Sequence, residues 1–140
     1  MRLTIKLPPV TKKNSTQIVT VKDKRTGNAR TIQLPSKPYQ EYERNSGWFI
    51  PADCRVGINY PVTVKALFYM QTRRRVDKSN LEEALHDVLV YYGVLEDDNR
   101  DIIASTDGSR VYYDKANPRT EVEITPLEEE YTQWRGEGMK

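Results

Sequence analysis

Apolar and polar residues alternate along several short segments of the chain, and this two-residue period predicts β-strands. The clearest case covers residues 60–70, where apolar residues occupy every second position and β-branched or aromatic residues are frequent. Two further alternating segments flank a turn that contains Gly27, which predicts a β-hairpin. The strands predicted in this way cover residues 1–7, 17–22, 29–34, 60–70, 102–106, 110–113 and 120–125.

One segment has the three-to-four-residue spacing of an amphipathic helix, with its apolar positions within residues 81–92. Ser79 and Glu82 fit a capping box at its start, and Gly93 fits a C-terminal stop. A shorter helix is predicted within residues 36–47, with a proline in its first turn. We therefore expect two main helices.

The composition is typical of one globular domain, with 140 residues of which 37% are hydrophobic and 30% charged. No apolar run is long enough to cross a membrane, and the N-terminal segment does not resemble a signal peptide, so a cytoplasmic protein is expected. Cys54 is the only cysteine and His86 the only histidine, which leaves little basis for thiol catalysis. We interpret Cys54 as structural and His86 as a surface residue.

The charged residues are segregated, although the net charge of +2 is too small by itself to indicate nucleic-acid binding. Three arginines in a row, followed by Lys78, surround the single acid Asp77, whereas residues 82–101 carry seven acids against one arginine. A nuclease needs both kinds of charge, because cations hold the backbone phosphates and carboxylates hold Mg²⁺. A solvated charged loop has the same composition, so both interpretations stay open.

The acids nearest to the predicted helix are Asp77 before it and the pair Asp97-Asp98 after it. Asp77 could bind a metal ion or merely complement the helix dipole, and an adjacent acidic pair is often a solvated turn. The helix carries the chain about 20 Å away from Asp77, and six extended residues return it by at most about the same length. A shared metal is therefore possible only if the segment after the helix doubles back along it.

Sequence motifs of several other chemistries are missing, and the remaining polar candidates are residues that could contact DNA or metal. The chain has no glycine-rich phosphate loop, no CxxC pair, no HExxH and no GxSxG, so nucleotide hydrolysis, structural zinc and serine hydrolase chemistry have no basis. The remaining candidates are Asn80, Glu83 and Asp87 on one flank of the helix, and Lys12, Lys13 and Asn14 in an irregular basic loop predicted for residues 8–15.

Taken in order, the arginines, Asp77, Asn80-Leu81, an apolar helix, Gly93 and Asp97-Asp98 resemble the RusA family of Holliday junction resolvases. The likeness covers roughly residues 1–125. It implies an α+β fold with a mixed β-sheet and two main helices. We expect a single domain of residues 1–126, followed by a polar tail of residues 127–140 whose charged and glycine residues suggest that it is loosely held. The resemblance also implies a Mg²⁺-dependent homodimeric endonuclease, often carried by phages, that makes paired nicks in four-way DNA junctions.

The resemblance assigns roles to individual residues. It implies that Asp77 and Asp98 are catalytic, and that Asp77, Asp97 and Asp98 hold Mg²⁺. We expect Lys78 to be catalytic as well, although the family pattern does not assign it. Ser79 and Glu83 depart from the family pattern, which has an aspartate and a lysine there, so Lys78 would supply the missing cation. Ser79, Glu83 and Asp87 are possible auxiliary residues. The residues expected to bind DNA are Arg73, Arg74, Arg75, Lys78, Asn80, Lys12, Lys13 and Asn14.

The two departures leave alternatives to an active resolvase. One is a protein that binds DNA junctions with weakened or lost catalysis, because Ser79 brings no charge to the site. Another is a Mg²⁺-dependent nuclease that acts on other branched or single-stranded DNA. We expect branched DNA to be the partner in each case.

Overall fold

The computed structural model describes residues 1–12 and 16–127 of the chain. Its strands and helices follow in the order β1 (Arg2–Ile5), β2 (Thr16–Lys22), β3 (Ala29–Pro35), α1 (Lys37–Ser46), β4 (Val62–Met70), α2 (Lys78–Tyr91), β5 (Ile103–Ser105), β6 (Arg110–Tyr113) and β7 (Arg119–Pro126), with short 3₁₀ helices at Gly47–Phe49 and Ala52–Cys54. Each predicted strand and both predicted helices are confirmed. Of the expected tail, residues 127–140, only residue 127 is among the described residues.

Five strands form one mixed sheet. β1 pairs antiparallel with β7, and β7 pairs antiparallel with β4. The other side of β4 pairs in parallel with β5 near its start and with β6 near its end. In the gap between them, the buried Ser109 hydroxyl accepts a hydrogen bond from the backbone amide of Ala66 at 3.0 Å. This bond satisfies a buried amide that neither β5 nor β6 reaches. The α+β class with a mixed sheet is therefore confirmed.

β2 and β3 form a separate antiparallel hairpin. Its turn is closed by hydrogen bonds from Gly27 to the carbonyl of Asp23 and from Asp23 to the carbonyl of Asn28. Gly27 has a φ of 73°, a conformation that glycine adopts without steric cost. This explains why the glycine-containing turn predicted the hairpin correctly.

The hydrophobic core lies on one face of the five-stranded sheet. Alternate residues of β4 are buried there, from Val62 to Phe68, and Leu81, Leu85 and Leu89 of α2 pack in the same cluster. The intervening residues of β4 are only half-buried, because they face away from that core. Helix α2 thus covers one face of the sheet and gains its stability mainly from that burial.

The start of α2 differs from the prediction. The N-cap is Asp77, whose carboxylate accepts a hydrogen bond from the Ser79 amide at 2.9 Å, so the predicted capping box of Ser79 and Glu82 is wrong. Asp77 has an extended backbone and Ser79 is already helical, and only a residue with a non-helical backbone can cap in this way.

The end of α2 agrees with the prediction. Gly93 has a φ of 75°, its amide donates to the carbonyl of Val90, and the Val94 amide donates to the carbonyl of Leu89. These two bonds are a Schellman motif, which satisfies carbonyl groups at the helix end. Val94 is buried, so the turn also returns the chain to the core.

His86 and Cys54 were both interpreted from sequence alone. His86 is half-buried on α2, so its assignment to the surface is wrong, and burial lowers the pKa of its imidazole below 6.5. A helical wheel orders residues around one helix but does not include the other segments that pack against it. Cys54 is buried and free, as a structural cysteine should be.

Within residues 1–12 and 16–127, no helix has the length and apolar character needed to span a membrane.

Candidate functional site

Asp77 lies at the point where the connection after β4 enters α2, and its side chain is exposed. Its cap bond uses one carboxylate oxygen, Oδ1. The helix therefore fixes this carboxylate at its N-terminus, where the macrodipole favours a negative charge. Capping accounts for the position of Asp77 and is compatible with a second role for the exposed group.

An open groove runs beside Asp77. It is bounded by the loop before β2, the start of α1 and the end of β4, and among its lining residues are Pro9, Pro38, Met70, Arg74, Arg75 and Asp77. Since Arg74 and Arg75 are exposed, the groove combines a carboxylate with two guanidinium groups. A polyanion that enters it would meet positive charge beside the carboxylate.

Two other cations near this groove have partners of their own. The guanidinium of Arg73 lies over the ring of Tyr113, 4.1 Å from its centre. Lys78 Nζ contacts Glu82 Oε1 at 2.8 Å, one turn further along α2. Lys78 therefore has a competing carboxylate, which reduces its availability to a phosphate.

Asp97 and Asp98 form a turn after α2. The amide of Asp98 and the side chain of Asn99 both donate to the Asp97 carboxylate, at 2.7 and 3.2 Å. These bonds lower the pKa of Asp97. Partial burial raises the pKa of Asp98, and the neighbouring Asp97 and Asp87 raise it further. Asp98 is thus a carboxylate whose charge is destabilised by its surroundings.

Asp87 connects this turn to the N-terminal loop. Its carboxylate binds Lys12 Nζ at 2.7 Å, and that hydrogen bond raises the pKa of Lys12, with Glu43 and Glu83 contributing. Asp87 also raises the pKa of Asp98, which indicates that the chain after α2 returns towards the helix. The sequence placed Lys12 and Asp87 among the candidates, but it contained no signal that they pair across 75 positions.

Asp77 and Asp87 lie at different levels along α2. Asp77 is ten residues before Asp87, which corresponds to about 15 Å along a helix axis. In the part of the chain that the structure describes, no three histidine, cysteine, aspartate or glutamate side chains are close enough together to hold a metal ion. The expected metal ligands are therefore not gathered into one set of three.

Of the remaining candidates, Ser79 and Glu83 are exposed and Asn80 is half-buried. The backbone N–H of Asn80 donates to the Asp77 carbonyl. Lys13 and Asn14 lie outside the described residues. The polar flank of α2 therefore faces solvent near its start and meets the N-terminal loop near its middle.

A family model described as endodeoxyribonuclease RusA matches residues 7–125. The chain belongs to the RusA family. It is therefore a nuclease of the class that hydrolyses phosphodiester bonds in DNA, and the RusA family implies resolution of Holliday junctions. The match to RusA includes every candidate residue from Lys12 to Asp98. No curated protein sequence matches the chain.

Proposed function

We propose that this RusA-family nuclease resolves four-way DNA junctions with the help of Mg²⁺, during recombination and repair in the cytoplasm of a bacterium, and that it is encoded by the bacterium or by a phage. The observation that carries this proposal is the groove in which Asp77 lies beside exposed Arg74 and Arg75. Phosphate contacts position a nucleic acid without reading its sequence, which suits a substrate recognised by its shape.

The acids of the chain are chemically suited to Mg²⁺. This ion prefers oxygen ligands, keeps several waters, and is usually held by one or two carboxylates together with substrate phosphates. A set of three neighbouring carboxylates is therefore not required. Partial burial and neighbouring acids raise the pKa of Asp98, and a cation would relieve that unfavourable charge.

We assign the metal to Asp77, Asp97 and Asp98, with Ser79, Glu83 and Asp87 as auxiliary residues. When bound, the ion would polarise a phosphate oxygen and activate water for hydrolysis. Arg73, Arg74 and Arg75 would hold the DNA backbone, with Asn80, Lys12, Lys13 and Asn14 as further contacts. Lys78 would complete the cation set only by leaving Glu82.

We also propose that the active form is a homodimer. A four-way junction has two-fold related strands, and an isologous dimer presents two copies of one site with the same symmetry. Paired nicks on opposing strands follow from that arrangement.

The test is cleavage of a labelled synthetic four-way junction while Mg²⁺ is titrated. Asp77→Asn is the informative variant, because asparagine also caps helices and so keeps the fold while removing the charge. We expect symmetric nicks with the native chain and none with Asp77→Asn, although both bind the junction. The matched control is Asp53→Asn, which changes an exposed aspartate in a separate 3₁₀ helix and should cut normally.

A second candidate function is junction binding with lost or weakened catalysis, and it is favoured by Ser79 and by the separation of Asp77 from Asp87. In that case the native chain would bind the junction and leave it intact at every Mg²⁺ concentration. Preference for flaps or single strands over junctions would instead favour a nuclease for other branched DNA.

A further inference from the structure

Three planar side chains stand side by side on the face of the sheet that α2 does not cover. Tyr69 of β4 lies opposite Arg119 of β7 on one side and opposite Tyr112 of β6 on the other. The Arg119 guanidinium is 3.8 Å from the centre of the Tyr69 ring. The rings of Tyr69 and Tyr112 are stacked, with centres 5.2 Å apart and planes inclined by 26°.

The row is fixed at one end and open at the other. Arg119 is held by Asp114 at 2.9 Å and by Glu121 at 2.8 Å, so its guanidinium cannot easily leave Tyr69. At the other end Tyr112 is 46% exposed, and among the described strands β6 pairs only with β4. The stack therefore ends at the sheet edge in an aromatic ring that is accessible to a further planar group.

Positive charge lies next to this open end. Arg110 is exposed two residues before Tyr112, so it projects from the same face of β6. On the other face, Tyr113 is 40% exposed and is covered by Arg73, the first residue of the arginine segment that continues to the groove at Asp77. The two carboxylates near Arg119 are already paired with it. Arg110, whose guanidinium also donates to the Ser109 carbonyl, and the arginine segment thus supply positive charge beside the stack.

We propose that Tyr112, backed by Tyr69 and Arg119 and flanked by Arg110 and Tyr113, is a stacking surface for DNA bases that have left the duplex stack. Every base has a π-face, so aromatic stacking tolerates any sequence, while nearby cations hold the backbone. The inference rests on the proposed function, since the strand-exchange point of a junction is where bases leave the duplex stack. The stacking surface would contact the bases, whereas the arginines would contact the phosphates.

The first test uses a short fluorescent oligothymidylate in Mg²⁺-free buffer, which measures base binding without cleavage. Tyr112→Leu keeps an apolar group against Tyr69 but removes the ring, so we expect the Kd to rise about tenfold. Tyr112→Phe keeps the ring and should bind as the native chain does. Tyr60→Ala is the matched control, because Tyr60 is 48% exposed and lies just before the start of β4, whereas Tyr112 pairs near the end of that strand. The Kd of this variant for oligothymidylate should equal that of the native chain.

The contrary results are equally specific. If Tyr112→Leu binds oligothymidylate as well as the native chain, the proposal is wrong. If the variant changes the oligomeric state in sedimentation and leaves the Kd unchanged, the edge binds a second copy of the chain, and the proposal is again wrong. Junction cleavage is scored separately, so a native chain that needs Tyr112 for oligothymidylate but never cuts junctions supports the stacking surface while contradicting the proposed function.

Discussion

At the scale of single residues, the carboxylate of Asp77 has two roles that can be separated by substitution. It caps α2, and in the proposed function it also binds metal. The pattern of Ser79 with Glu82 predicted the cap at Ser79, whereas the structure has it at Asp77. Local pattern could not decide because the backbone angles that distinguish a cap from a helical residue depend on how the chain leaves β4.

Stability measurements separate the cap from its neighbour. Asp77→Ala removes the acceptor for the Ser79 amide and should lower the free energy of unfolding by about 1 kcal/mol. Ser79→Ala should change it by less than about 0.5 kcal/mol, because Ser79 is exposed and already helical. Urea unfolding of the two variants measures both values, and equal losses would contradict the assignment of the cap.

His86 gives a prediction of pH dependence. Burial lowers its pKa in the folded protein below 6.5, so below that pH the unfolded chain takes up a proton that the folded chain resists. Stability should therefore fall as the pH falls from about 7.5 to 5.5. A matched His86→Gln variant should lose less stability over this range. NMR titration of the single imidazole would measure the folded pKa directly, and a value above 6.5 would contradict the prediction.

At the scale of elements, regular patterns in the sequence predicted the secondary structure of each segment. They did not predict which segments pack or pair with each other. The alternation in β4, the spacing in α2 and the turn at Gly27 are local signals, and the structure has a strand, a helix and a hairpin at those positions. The parallel pairing of β5 and β6 with the same side of β4 was not predictable, because pairing partners far apart in the chain leave no local pattern.

The C-terminus of α2 depends on Gly93 for its conformation. Gly93→Ala places a side chain at a φ of 75° and should cost about 1–2 kcal/mol of stability. Gly93→Asn should cost less, since asparagine tolerates the left-handed conformation. Thermal or urea unfolding compares the variants, and an alanine variant as stable as the asparagine variant would show that the turn can adopt another conformation.

At the scale of the whole molecule, the candidate site depends on contacts between distant segments. The sequence supplied the acids and arginines, but it could not show that Asp87 raises the pKa of Asp98 or that Lys12 binds Asp87. The contact of Lys12 follows from how the loop before β2 reaches the middle of α2. The tertiary fold, and no local pattern, therefore brings the residues of the candidate site together.

Junction affinity should depend on salt through the arginines of the groove. Each phosphate contact releases counterions, and losing one should reduce the slope of log K against log salt by about 0.9. We therefore expect Arg74→Ala to reduce the slope by about that amount. Arg44→Ala should leave it unchanged, because Arg44 is exposed at the end of α1, where its carbonyl meets Tyr92 at the far end of α2. Equal slopes for Arg74→Ala and the native chain would exclude Arg74 from the phosphate contacts.

The pairing of β1 with β7 has a consequence for synthesis on the ribosome. Leu3 of β1 lies opposite Val122 of β7, and β7 is also the strand that joins β1 to β4. A ribosome adds about 5–20 residues per second, so β1 waits for several seconds before its partner exists. During that time the hairpin and the helices can form locally, but the five-stranded sheet cannot be completed, because β7 lies between β1 and β4. A ribosome stalled before Arg119 would therefore hold a nascent chain with an incomplete core, sensitive to protease although most of the protein has been made.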